Sequence, residues 1–160
     1  MSQAELRAIY LKRAHRGPMD AVPRASMRAQ AGLEGNVEQR SRRQITLVEE
    51  ERWEHFMRSL GGQHPASARR ANLVVRGIDL SAGQGGRLLR IGGYRIRILG
   101  ETKPCERMEA LLPGLEQAMY PRWGGGAFGV AVDDGNIHVG DRVAWDGPDA
   151  GDGIPADTMR

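Results

Sequence analysis

The segment GETKPCERMEAL, residues 100–111, carries the only cysteine of the 160-residue chain. Cys105 follows Pro104 and stands between Lys103 and Arg107. Helical spacing begins just after it, with Met108, Leu111, Leu112, Leu115 and Met119 interrupted by Pro113-Gly114. With Thr102 as a candidate cap and Pro104 in the first turn, the thiol falls at a helix N-terminus among cations. Such surroundings lower a thiol pKa from about 8.5 towards roughly 3.5–7.5, making the sulfur a nucleophile or soft metal ligand. The competing reading is a small core residue, since free cysteine is among the most buried types.

A second group is cationic. Arg69, Arg70 and Asn72 lead into a strand-like segment, and Arg42 and Arg43 precede QITLV. Guanidinium forks at a strand end suit phosphate or carboxylate, while the plainer alternative is a solvated basic face. The net charge of +3 is unevenly spread: from residue 131 onward seven aspartates face Arg142 and Arg160, leaving the first 130 residues at +8.

Other chemistries find less support. His15, His55, His64 and His138 are scattered and have no metal-ligand spacing. A Cys–His nucleophilic pair would have to be assembled by the fold alone. No phosphate loop ending in Gly-Lys-Ser/Thr is present, and WGGGAFG reads as a turn feeding a strand. Aromatic residues make up 5%, which argues against the stacking platforms of a single-strand nucleic-acid binder. There is no apolar run of membrane-spanning length. The N-terminus lacks the pattern of a secretory signal, and one cysteine cannot form an internal disulfide, so a cytoplasmic protein is expected.

The elements that must position these groups follow from periodicity. Ile9–Leu11 starts as a strand, and the breaks at Gly17-Pro18 and Pro23 predict loop after it. Gln44–Val48 reads as a strand running into a helix, in which Trp53, Phe56, Met57 and Leu60 form one stripe that stops at Gly61-Gly62. Glu49, Glu50 and Glu51 favour the positive end of that helix. Residues 72–75 form a buried strand. Leu88–Ile91 and Tyr94–Ile98 form a hairpin about Gly92-Gly93, with arginines on one face. Phe128–Val132 and Ile137–Val139 read as a second hairpin. The fold expected is mostly β with a few helices (α+β), curled into a closed, barrel-like domain. One domain is expected over residues 1–145, with a polar, mobile tail over 146–160.

Four segments in order resemble the MOSC domain, the family named for the C-terminal region of molybdenum cofactor sulfurase. They are GLEGN (32–36) with RRQITLVEEERW (42–53), RRANLVVRGIDL (69–80), GETKPCERM (100–108) and GVAVDDGNIHVGDRV (129–143). The resemblance implies a small stand-alone member with a β-barrel-like fold, handling molybdenum cofactor (molybdopterin) or sulfur destined for it. It implies that Cys105 ligates molybdenum or carries a persulfide. It places Arg70 and Asn72 against the pterin and its phosphate, with Arg69, Lys103 and Arg107 as further cofactor-binding cations. The chain departs from the family in carrying Asn36 where relatives commonly carry aspartate. No pyridoxal-phosphate desulfurase module or iron–sulfur domain is expected within these 160 residues, so redox catalysis would need an electron-donor protein and sulfur transfer a sulfur-donor protein. Reduction of N-hydroxylated compounds is the activity implied if molybdenum stays bound.

Overall fold

The computed structural model describes residues 3–37 and 41–147. The expected tail, residues 146–160, falls outside them beyond Gly147. In chain order the strands are β1 Glu5–Lys12, β2 Met19–Val22, β3 Arg24–Arg28, β4 Gly32–Leu33, β5 Ile45–Glu49, β6 Leu73–Arg76, β7 Leu88–Ile91, β8 Tyr94–Glu101, β9 Ala127–Ala131, β10 Gly135–His138 and β11 Val143–Trp145. The helices are α1 Glu50–Leu60, α2 Glu106–Leu111 and α3 Leu115–Met119. An α+β fold dominated by strands results, as the periodicity predicts.

Eight strands form one sheet in the order β11-β7-β8-β9-β5-β6-β1-β2, and β10-β3-β4 form a smaller one. The expected closed barrel is corrected, because the large sheet does not close. Its β11 side reaches the start of β1 through a single bridge, Glu5 to Arg142, supported by Leu6 N–H donating to the Asp141 carbonyl at 2.8 Å. Further along β1, Ile9 to Lys12 pair with β2. β1 already bonds β6 on one side, so β2 takes the edge that a continuous closure would need.

Two other expectations change. The predicted loop after the first strand contains β2 and β3, with Pro18 and Pro23 just outside their ends, where a missing N–H interrupts no ladder. The predicted second hairpin does not form, although both of its strands exist. β9 is paired on both edges, by β5 and β8, so β10 has no free edge there and pairs with β3.

The hairpin of β7 and β8 matches its pattern: Ile96 and Ile98 are fully buried, while Arg95 forms an ion pair with Asp133 at 2.9 Å. A register shift between Ile98 and Gly100 redirects the end of β8. α1 is the crossover between the parallel strands β5 and β6. Its stripe buries Trp53, Phe56 and Met57 against Met108, Leu115 and Met119, each such side chain contributing roughly 1.5–3 kcal/mol. Gly61 ends the helix at φ 75°, a left-handed conformation that suits glycine.

Glu49, the last residue of β5 and the N-cap of α1, is 6% exposed, and its Oε2 accepts from Leu80 N–H at 2.9 Å. Burial pushes its carboxyl up from 4.5 to about 7. A raised acid pKa means that the protonated form is favoured in the fold. Its contribution is full below 4.5 and is lost as pH rises through about 7. Thermal melts should therefore lose stability between those pH values, and Glu49→Gln should remove that part of the slope. An unchanged slope in the variant would assign the pH dependence to other groups.

Candidate functional site

The loop that carries the thiol is built from backbone contacts. Thr102 N–H donates to the Gly126 carbonyl at 2.9 Å, and Thr102 Oγ1 donates to the Gly125 carbonyl at 2.7 Å. Arg69 joins the same cluster, its Nε donating to Gly125 O at 2.9 Å and its Nη2 to Thr102 O at 3.1 Å. This close approach explains WGGGAFG. A Cβ at Gly125 would lie 2.2 Å from Thr102 O, and one at Gly126, where φ is +106°, would lie 2.1 Å from Leu47 O.

Thr102 is thus a clasp rather than a helix cap, and Pro104 lies before the first turn. The cap position belongs to Cys105, in extended conformation with no side-chain cap bond, and Met108 N–H donates to its carbonyl at 2.9 Å. The Cys105 side chain is exposed. Its sulfur is therefore not the small core residue that the alternative reading allowed.

Cys105 opens onto a cleft of about 370 Å³ on the outer face of the sheet, opposite Ile45 and Leu47. Among the described residues, six cations line it: Lys12, Arg43, Arg69, Arg70, Lys103 and Arg107. No described carboxylate lines it. Arg69 and its C-cap neighbour Arg70 come from the 3-10 turn before β6.

 Lys12 ends β1, Arg43 leads into β5, and Lys103 and Arg107 flank the thiol, so the cleft draws its charge from segments distant in sequence.

The cations differ in how freely they can meet a ligand. Arg43, Lys103 and Arg107 are exposed, with the Arg43 guanidinium 5.1 Å from the Phe128 ring centroid. Arg70 takes a left-handed conformation at φ 66° and donates to the Gly17 carbonyl. Burial lowers the Arg69 pKa, the Cys105 sulfur raises it, and Arg43 lowers it again. An anion in the cleft would oppose the first and third of these effects.

Asn72 is 4% exposed and engaged at every hydrogen-bonding position. Its Oδ1 accepts from Thr46 N–H at 3.1 Å and Thr46 Oγ1 at 3.2 Å. Its Nδ2 donates to Tyr10 O at 3.0 Å and Asn36 Oδ1 at 2.9 Å. The side chain ties β1, β5 and the segment before β6 together beneath the cleft.

The structure therefore brings Cys105, Arg69, Arg70, Asn72, Lys103 and Arg107 to one cleft. Lys12, Asn36 and Thr46 also line it and were not singled out for a role from the residues alone. Lys12 carries no local signal, since only the pairing of β1 beside β6 brings it there.

The family model for the MOSC domain matches residues 13–144. No curated protein matches the chain by sequence. Among solved structures, YuaD protein from Bacillus subtilis is similar with a TM-score of 0.73 at 18% identity, over 89% of this chain and 94% of that one. YiiM from Escherichia coli gives 0.69 at 17%, over 92% and 71%, and YiiM from Geobacillus stearothermophilus gives 0.69 at 15%, over 90% and 75%. At these identities the likeness is one of fold.

Proposed function

The chain belongs to the MOSC domain family, and on that premise we propose that it binds molybdenum cofactor in the cationic cleft, with Cys105 Sγ as the protein's ligand to the metal. The observation that carries this reading is an exposed thiol opening on a cleft with six cations and no described carboxylate. That donor set fits a phosphorylated dithiolene ligand: guanidinium and ammonium groups match the anion, and a thiolate matches a soft metal site. The volume of about 370 Å³ lies within the usual range for small-molecule sites.

Each residue has a part. Arg43, Arg70, Lys12, Lys103 and Arg107 supply charge around the ligand. Arg69 holds the 102–105 loop and adds charge close to the sulfur, while Asn72 fixes the strands beneath. When bound, the cofactor supplies a redox-active metal suited to reducing N-hydroxylated compounds, with electrons from a donor protein. In a second reading Cys105 carries a persulfide for sulfuration of the cofactor. Its exposure favours this, because a transferable sulfur must be reachable by a sulfur-donor protein and by an acceptor.

Metal and pterin analysis of the purified protein, with intact mass before and after reduction, tests both. Molybdenum and pterin in equal amounts are expected for the first reading. A gain of one reducible sulfur atom without metal would replace it with the second. Neither signal, in protein produced where the cofactor is made, would overturn both.

Among the described residues no helix is long and apolar enough to cross a membrane.

A further inference from the structure

The floor of the cleft contains a polar group whose partners account for only half of it. Asn36 is 4% exposed, and its Oδ1 accepts from Lys12 N–H at 2.8 Å and from Asn72 Nδ2 at 2.9 Å. Those bonds decide which end of the amide is which. Thr46 N–H can only donate, so the Asn72 atom it meets is Oδ1. Asn72 Nδ2 is then the atom at Tyr10 O and at Asn36. Lys12 N–H, another obligate donor, fixes Asn36 Oδ1 independently. What remains is Asn36 Nδ2, which has no hydrogen-bond partner among the described residues, on a side chain that lines the cleft.

We propose that Asn36 Nδ2 is a specificity-determining donor that binds an oxyanion oxygen of the cleft's ligand, of the kind a phosphate group presents. Asn36 Nδ2 is not one of the buried unpartnered side-chain atoms, so it is open to the cleft and free to donate to a ligand acceptor there. The surrounding groups point to an anionic acceptor. The six cations of the cleft are donors, and no described carboxylate is present to receive a ligand's N–H. Asn36 therefore reads hydrogen-bond polarity as well as charge: its Nδ2 donates to an oxygen and rejects an amine at the same depth. The proposal rests on reading the cleft as the ligand site, but not on molybdenum.

Asn36→Asp replaces the donor by an acceptor and adds a negative charge, so the wild-type amide titration is what separates a hydrogen bond from charge repulsion. The aspartate retains an oxygen for Lys12 N–H and Asn72 Nδ2, and it places an acceptor where Nδ2 was. Inorganic phosphate is the probe, followed by side-chain amide NMR and by calorimetry on the full chain. In wild type the Asn36 amide resonance should move along the same saturation curve as the backbone amides of the cleft. In Asn36→Asp, phosphate affinity should fall at least about tenfold, the scale of losing a hydrogen bond to a charged group. Phosphate binding in both proteins with equal affinity and an unmoved Asn36 resonance would overturn the proposal and leave the cofactor reading standing. Absence of phosphate binding to wild type would also overturn it. Molybdenum and pterin content, measured separately, reports on the cofactor reading alone. If the variant proves misfolded, the wild-type amide titration still decides the matter.

Discussion

Cys105→Ser is expected to lose bound molybdenum while keeping, or slightly raising, its melting temperature. The loss should exceed about 100-fold in metal retention, since even groups that only orient a metal ligand typically cost 10–100-fold. A hydroxyl is the right size but has neither the softness nor the acidity of a thiol. The stability half of the expectation comes from the position of the residue. Cys105 is the cap residue of α2, makes no side-chain cap bond and is exposed. Serine is a preferred cap residue, so the exchange removes no packing and can add a few tenths of a kcal/mol. Metal retained at wild-type levels in a folded variant would remove Cys105 from the coordination sphere. Loss of metal together with a large fall in melting temperature would instead indicate a structural sulfur.

Asn72→Ala is expected to destabilise the protein by about 3–5 kcal/mol, which places it among the most damaging single changes. The variant strands Thr46 N–H and the Tyr10 carbonyl, and leaves Asn36 Oδ1 with Lys12 N–H alone, around a hole in a site that is 4% exposed at Asn72. Urea unfolding should show a lower midpoint at an unchanged slope. Arg107→Ala, on the exposed rim, should stay within about 0.5 kcal/mol of wild type. Less than about 1 kcal/mol lost in Asn72→Ala, combined with loss of cofactor, would make Asn72 a direct ligand contact instead of a pin. The contrast separates residues that build the cleft from residues that face its contents.

Local sequence was enough where an element depends on its own side chains. The stripe through Trp53, Phe56 and Met57, and the alternation of Tyr94, Ile96 and Ile98, predicted α1 and the β7–β8 hairpin because burial on one face is written in the spacing. The failures lie where strand edges compete. β10 could have paired with β9, and the turn residues between them suggested it, but both edges of β9 were taken. The incomplete closure has the same cause, since β2 occupies the edge of β1 that a barrel would use. Proline at strand ends hid β2 and β3, because the signal that interrupts a central strand is harmless just outside one.

The site divides in the same way. From sequence came the unusual thiol with its charged neighbours, the arginines before the strand, and the family pattern that joined them. Whether Cys105 was buried or exposed was decided by the tertiary structure, since a cysteine's neighbours in sequence do not set its access to solvent. So was the convergence of Lys12 with Arg43, Arg70 and Arg107, which depends on β1 pairing beside β6 and on the loop after β8 being clasped to Gly125 and Gly126. The orientation of Asn36 is the finest of these points. Its type is plain in the sequence, but only Lys12 N–H and Asn72 hold its oxygen and turn its donor towards the cleft. Residue types and spacing thus determined which chemistry the chain can offer; long-range strand pairing and hydrogen bonding decided which groups face one another, because those contacts join residues that no local pattern relates.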